Sequence, residues 1–160
     1  MGEERTFTEA EAHKWFAIEL NKQVWTLLES KHRSRQDDDR MVWAAYASQY
    51  HWSVVGTPIH HARGCWLISR VHAVLGDGQA ALAHAEKSLA ACESHGFGDF
   101  DLAYAYEAMA RAAATLQDLV AARHYLDLAR EAGAAIGEPG DRDLFFADLK
   151  APPWFDLTPS

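Results

Sequence analysis

Long apolar runs are missing from this sequence. No stretch approaches the ~18–20 residues of a bilayer-spanning helix, which excludes a transmembrane segment within it. Positive charge is in short supply: 15 Lys and Arg stand against 23 Asp and Glu, a formal net charge of −8. That balance argues against nucleic acid and anionic membranes as partners. Cysteine is limited to Cys65 and Cys92. Two thiols are too few for a structural zinc site, and they read as buried core thiols in a cytosolic protein. Residues 1–6 hold acidic side chains with no apolar block behind them, so they do not read as a secretory signal. Strand signals are lacking too, with no sustained apolar–polar alternation, and Asp77-Gly78 lies between helical patterns.

The common catalytic signatures are absent. There is no Gly-x-Ser-x-Gly, and neither cysteine opens a helix, where its pKa would fall. Gly76-Asp77-Gly78 lacks the lysine and the preceding strand of a phosphate loop, and Gly96-Phe97-Gly98 joins two helices. What remains is a chain of 160 residues, 49% hydrophobic and 24% charged, the balance of a soluble globular domain with a sizeable core.

Its dominant feature is an internal repeat over 62–137, with a shift of 41 residues. Ala62 recurs as Ala103, Arg70 as Arg111, Ala73 as Ala114 and Leu75 as Leu116. Asp77 recurs as Asp118, Ala91 as Ala132 and Gly96 as Gly137. A repeat of this period points to stacked helix pairs, none of which buries its apolar face alone.

Taken in order, Thr8 and Glu11 form a capping box that opens a helix reaching about residue 31. Residues 31–36 are a polar break, and Asp37, Asp38 and Asp39 place acids where a second helix would begin. That helix is apolar almost all round, which predicts burial on more than one side. Gly56 ends it, and Thr57-Pro58 starts a third helix running to Leu75. Asp77 caps a fourth that ends near Gly96, Asp99 or Asp101 caps a fifth, and Gln117-Asp118 forms the second inter-helix turn. The sixth stops around Gly137, and a short helix over 142–150 closes the stack. Trp154 and Phe155 pin the tail that follows. Trp15, Trp25, Trp43, Trp52 and Trp66 at helix-core spacing predict an aromatic core in the N-terminal half. His72 is expected between helices, bonded to a backbone or hydroxyl group.

Each repeat unit resembles the tetratricopeptide repeat. With Gly76 as the turn position, the small sites of that family fall on Ser69, Ala81 and Ser88. With Gln117 they fall on Ala110, Ala122 and Ala129. The period is longer than the family's standard, as in variants found in bacterial regulatory proteins. The resemblance implies a single all-α domain over 1–160, an antiparallel helix-pair stack of about seven helices. A divergent helix pair would occupy 8–56, two repeat-like pairs 57–137, and a capping helix with tail 138–160.

The family's inner-groove positions fall on Arg63, Trp66 and Arg70 in the first unit and on Tyr104, Glu107 and Arg111 in the second. The resemblance makes these the ligand-binding residues. They offer guanidinium forks, an aromatic plate and one acceptor for a protein, a peptide or a small anionic ligand. On helix periodicity alone, Glu107 and Arg111 are an ordinary surface pair four residues apart. The function expected is a non-catalytic binding or scaffold module of the cytoplasm, with no cofactor. A homodimer burying its concave face is a further arrangement to test.

Nine histidines supply the competing reading, a small helical metal-binding protein or enzyme. His13, His51, His61 and His95 fall near one end of an up-and-down stack, with Asp99 and Asp101 beside them, as bundle metal sites are built. No His-Glu-x-x-His or Glu-x-x-His spacing accompanies them.

Overall fold

The computed structural model describes residues 4–155 and Leu157. Seven helices make up its regular structure: α1 (Glu9–Glu29), α2 (Arg35–Val55), α3 (Pro58–Val74), α4 (Gly78–His95), α5 (Asp99–Thr115), α6 (Leu119–Ala134) and α7 (Pro139–Lys150). No strand occurs among the described residues. Each helix from α1 to α6 packs on the next, α3 also packs on α5, and α7 closes against α5 and α6. The protein is all-α with neighbouring helices packed together.

Local chemistry sets the boundaries. The Thr8 box forms: the Glu11 N–H donates to Thr8 Oγ1 at 3.2 Å, and the Thr8 N–H donates to Glu11 Oε2 at 2.8 Å. Ser34 builds a second box with Asp37, so α2 starts at Arg35, ahead of the acidic triplet. The two repeat turns are the same device. Gly76 (φ 81°) and Gln117 (φ 62°) both take the left-handed conformation. Asp77 and Asp118 then cap the next helix by accepting the Ala80 and Ala121 N–H groups, each at 3.1 Å. The start of α5 differs from expectation, because Gly98 is its cap residue. The Asp99 carboxylate accepts the Gly137 N–H at 3.0 Å instead, and Asp101 is held by Arg63. The sixth helix stops at Ala134, short of Gly137, where Ile136 turns into the core. Pro139 opens α7 three residues earlier than expected, its missing N–H costing nothing in a first turn.

Small residues let the helices approach. All six of the repeat's small sites, Ser69, Ala81, Ser88, Ala110, Ala122 and Ala129, are buried. Ser88 donates to the Ala62 carbonyl at 2.9 Å and Ser69 to the Ala81 carbonyl at 2.8 Å, so neither hydroxyl is buried unpaired. The first pair uses the same contact: Ser48 on α2 donates to the Ala17 carbonyl on α1 at 2.7 Å. At Gly133 an added Cβ would lie 2.3 Å from the Phe145 ring, so its bare backbone is what lets α7 close on α6.

Two expectations are corrected. Helix α2 is not buried on more than one side. Met41, Ala44, Ala45 and Ser48 face inward, Tyr46 reaches across to His72 of α3 and His84 of α4, and Trp43 (68% exposed), Tyr50 (62%) and Val54 face out. The small residues fill the narrow seam against α1 and α3, and no described element covers the opposite face. Nor do the five tryptophans form one core. Trp25 stacks on Trp66 with ring centroids 5.7 Å apart, Trp52 stacks on His60 at 4.1 Å, and Trp15 and Trp43 are exposed. The tail is pinned by Trp154, whose Nε1–H donates to the Leu149 carbonyl at 2.8 Å; Phe155 is exposed.

Candidate functional site

Helices α3 and α5 run side by side and present equivalent positions of the two units to one concave surface. A hollow of about 420 Å³ opens there, walled by Trp25, Trp66, Phe100, Tyr104 and Leu144. Asn21 and Glu29 of α1 line one side and Asp148 of α7 another, with Arg63 and Asp101 also in its lining.

The six groove residues fall into a buried network and an open edge. Glu107 and Arg111 are each 1% exposed. Glu107 Oε1 accepts from Arg70 Nη1 at 2.9 Å and from Arg111 Nε, and Oε2 accepts the Trp66 indole N–H at 3.1 Å. Trp66 and Glu107 stand at the same position of consecutive units, 41 residues apart. The difference between the copies there is therefore a contact between them. Burial by itself would raise the Glu107 carboxyl, but the guanidiniums of Arg111 and Arg70 outweigh it and hold the group below its usual range.

Arg111 does not face the groove. Its Nη1 donates to the carbonyls of Ala151 and Pro153 at 2.9 Å each, and its Nη2 to that of Asp148 at 3.2 Å. The guanidinium lies 4.1 Å from the Trp154 ring centroid. Burial pulls its pKa down to about 10, still ionised at neutral pH. The repeated arginine thus holds Glu107 from both units and, in the second, the C-terminal segment as well.

Three of the six line the open hollow: Arg63, Trp66 and Tyr104. Arg63 is paired through both arms, Nε to Asp101 Oδ1 at 2.7 Å and Nη2 to Oδ2 at 3.1 Å. Tyr104 donates its hydroxyl to Asp148 Oδ2 at 2.6 Å and meets Trp66 edge-on at 5.1 Å. Burial, and then the bond to Asp148, pushes the Tyr104 phenol up, so it remains a neutral donor.

Trp25, Glu29, Phe100 and Asp148 were not assigned to the site from sequence. Trp25 showed as part of an apolar stripe, and nothing local marked Glu29 or Asp148, since α1 and α7 reach the groove only through tertiary packing.

The histidines do not converge. His13 and His51 meet, Nδ1 to Nδ1 at 2.8 Å. His61 instead accepts at Nδ1 from Gln49 Nε2 (2.8 Å), and His95 stacks on Phe97. Among the described residues no three His, Cys, Asp or Glu side chains gather closely enough to hold a metal ion. His72 meets the Tyr46 hydroxyl at 3.1 Å, as its position suggested. The same hydroxyl reaches His84 Nε2 at 3.0 Å. Burial raises both thiols, Cys65 and Cys92, to about 11, so neither is an activated nucleophile. Comparison with protein-family models, with curated proteins and with solved structures gives no match to this chain.

Proposed function

We propose that this protein is a non-catalytic, tetratricopeptide-like binding module that takes a segment of a protein partner into the groove between α1, α3, α5 and α7. The observation that carries this reading is the hollow itself: about 420 Å³, open to solvent, with aromatic walls supplied by three different helices. Concave, mostly apolar surfaces with a few fixed polar groups are where ligands bind. The buried Glu107 network fixes α3, α5 and the C-terminal end of α7 to one another, so that part of the surface is held in shape before a partner arrives. A scaffold role in the cytoplasm, within a bacterial regulatory system, suits such a module.

Peptide display against the purified protein tests the reading. Asn21 lines the hollow and makes no described side-chain hydrogen bond, so Asn21→Trp fills the space without breaking one. Selected peptides should lose at least about tenfold in affinity for that variant. Peptides that bind Asn21→Trp as tightly as the parent would place recognition elsewhere on the molecule.

A further inference from the structure

The 420 Å³ hollow is the middle of a longer channel. It shares Arg63, Phe100 and Asp101 with a second hollow of about 470 Å³, which adds Asp99 and Asp141. It shares Trp25, Glu29 and Asp148 with a third of about 500 Å³, which reaches Arg33, Arg70 and Pro152. Three hollows joined end to end suit an extended chain better than one compact small molecule.

The charge along this channel is one-sided. No lysine lines it, and each arginine on its wall is already paired: Arg63 with Asp101 at 2.7 Å, Arg33 with Asp38 at 2.8 Å and Arg70 with Glu107 at 2.9 Å. Glu29, Asp99, Asp141 and Asp148 also line it and have no ion pair among the described residues. Asp99 and Asp148 accept hydrogen bonds from neutral donors, and Arg111 acts on Asp148 only through space, without an ion pair. An anionic ligand would have to displace existing ion pairs and approach four carboxylates. A cation meets those carboxylates beside the rings of Trp25, Trp66, Phe100 and Tyr104, which line the hollow, so any ring face it reaches adds cation–π attraction to Coulomb attraction.

We infer that the channel binds an extended basic peptide of a partner protein, with a Lys or Arg side chain seated at the junction lined by Trp25, Glu29 and Asp148. This rests on the groove being the binding surface and reverses the anionic ligand expected from the arginines alone. Those arginines look available in the sequence, and the fold commits them to carboxylates.

The test uses the full chain with two soluble twelve-residue peptides of matched length. One is rich in Lys and Arg, the other in Asp and Glu. Calorimetry gives affinity, and the indole N–H resonances of Trp25 and Trp66 report location. The basic peptide should bind and move both resonances. Glu29 is exposed, so Glu29→Lys should leave Tm unchanged and weaken the basic peptide by about tenfold or more. Glu86→Lys, an equal charge change on the exposed face of α4, should alter affinity by less than about twofold. Equal losses in the two variants would mean bulk attraction to an acidic protein and would overturn the inference. Binding of the acidic peptide at Trp25 and Trp66, with the basic one silent, would overturn the charge class and leave the groove reading standing. If no peptide, display-selected ones included, disturbs either indole, both readings fall.

Discussion

Glu107 has three donors on two oxygens and is 1% exposed, which makes it the acceptor that joins Trp66, Arg70 and Arg111. Removing one partner of a buried pair leaves a charge with neither water nor counter-ion. Glu107→Ala strands two guanidiniums, and Arg111→Ala also frees three backbone carbonyls of the C-terminal segment. Each should lower unfolding free energy by about 3–5 kcal/mol, read from urea denaturation at neutral pH. Arg63→Ala breaks a pair whose arginine is 55% exposed and whose Asp101 is 13% exposed, and should cost less than the buried network, about 1–2 kcal/mol. If all three variants lose the same amount, the division between network and open edge is wrong. The four-residue spacing of Glu107 and Arg111 is visible in sequence, where it looks like helix surface. Its burial is not visible, because the residues that cover Arg111 lie about 40 positions further on. His84 adds a pH dependence at this scale. Burial, then Lys87 and His72, depress its pKa to about 4. The unfolded imidazole takes a proton near pH 6.5 and the folded one resists until about pH 4. Its contribution to stability is therefore complete above pH 6.5 and declines as pH falls toward 4. Melting curves of the parent and His84→Leu across that window should diverge, with the parent losing more Tm on acidification. Parallel curves would show that His84 titrates normally. The neighbouring Asp77, Tyr46, His72 and Lys87 are common to both proteins.

At the scale of helices and turns, much of the fold was readable because its determinants are local. Capping boxes, the Gly76 and Gln117 turns and the Asp caps each lie within a few residues of the boundary they set. Asp37 and Asp38 fall in the first turn of α2, as their charge suits, with Ser34 as the cap; where a boundary moved, a nearer residue took the role, Gly98 in place of Asp99. The facing of α2 was not readable, since a helix rich in Ala, Trp and Tyr gives little amphipathic contrast and neighbours decide which side is covered. The equivalence of the two turns can be tested by exchange. Gly76 sits at φ 81° with no atom within 4 Å of an added Cβ, so Gly76→Ala meets only the left-handed backbone penalty. That should cost about 1 kcal/mol. Gln117 already carries the strain, so Gln117→Gly should be neutral or raise stability by a few tenths of a kcal/mol, relief being offset by the freedom glycine adds to the unfolded chain. Thermal unfolding of both variants decides it. A loss at Gln117→Gly as large as at Gly76→Ala would mean that the glutamine side chain supplies a contact beyond the turn.

For the whole molecule, the groove joins parts of the chain that otherwise hold together separately. The Glu107 network and the Trp154 anchor tie α3, α5, α7 and the C-terminal segment to one another. Helix α1 packs mainly on α2 and reaches the far wall through Trp25 against Trp66. A segment lying in the channel would touch α1 through Asn21, Trp25 and Glu29, and α5 and α7 through Phe100, Tyr104 and Asp148, so it would bridge the two. Ligand bound only to the folded state stabilises it by about 2.7 kcal/mol at a hundred times its Kd. Local openings that separate α1 from α3 must also break those contacts. Hydrogen exchange with and without a saturating basic peptide should therefore slow most in the second half of α1. Protection around Glu107 and Arg111 should change less, because those amides already open only with larger parts of the structure. Uniform slowing along the chain would fit stabilisation without bridging. Slowing confined to α2, where Trp43 and Tyr50 stand exposed, would move the binding surface to the outer face of the first helix pair.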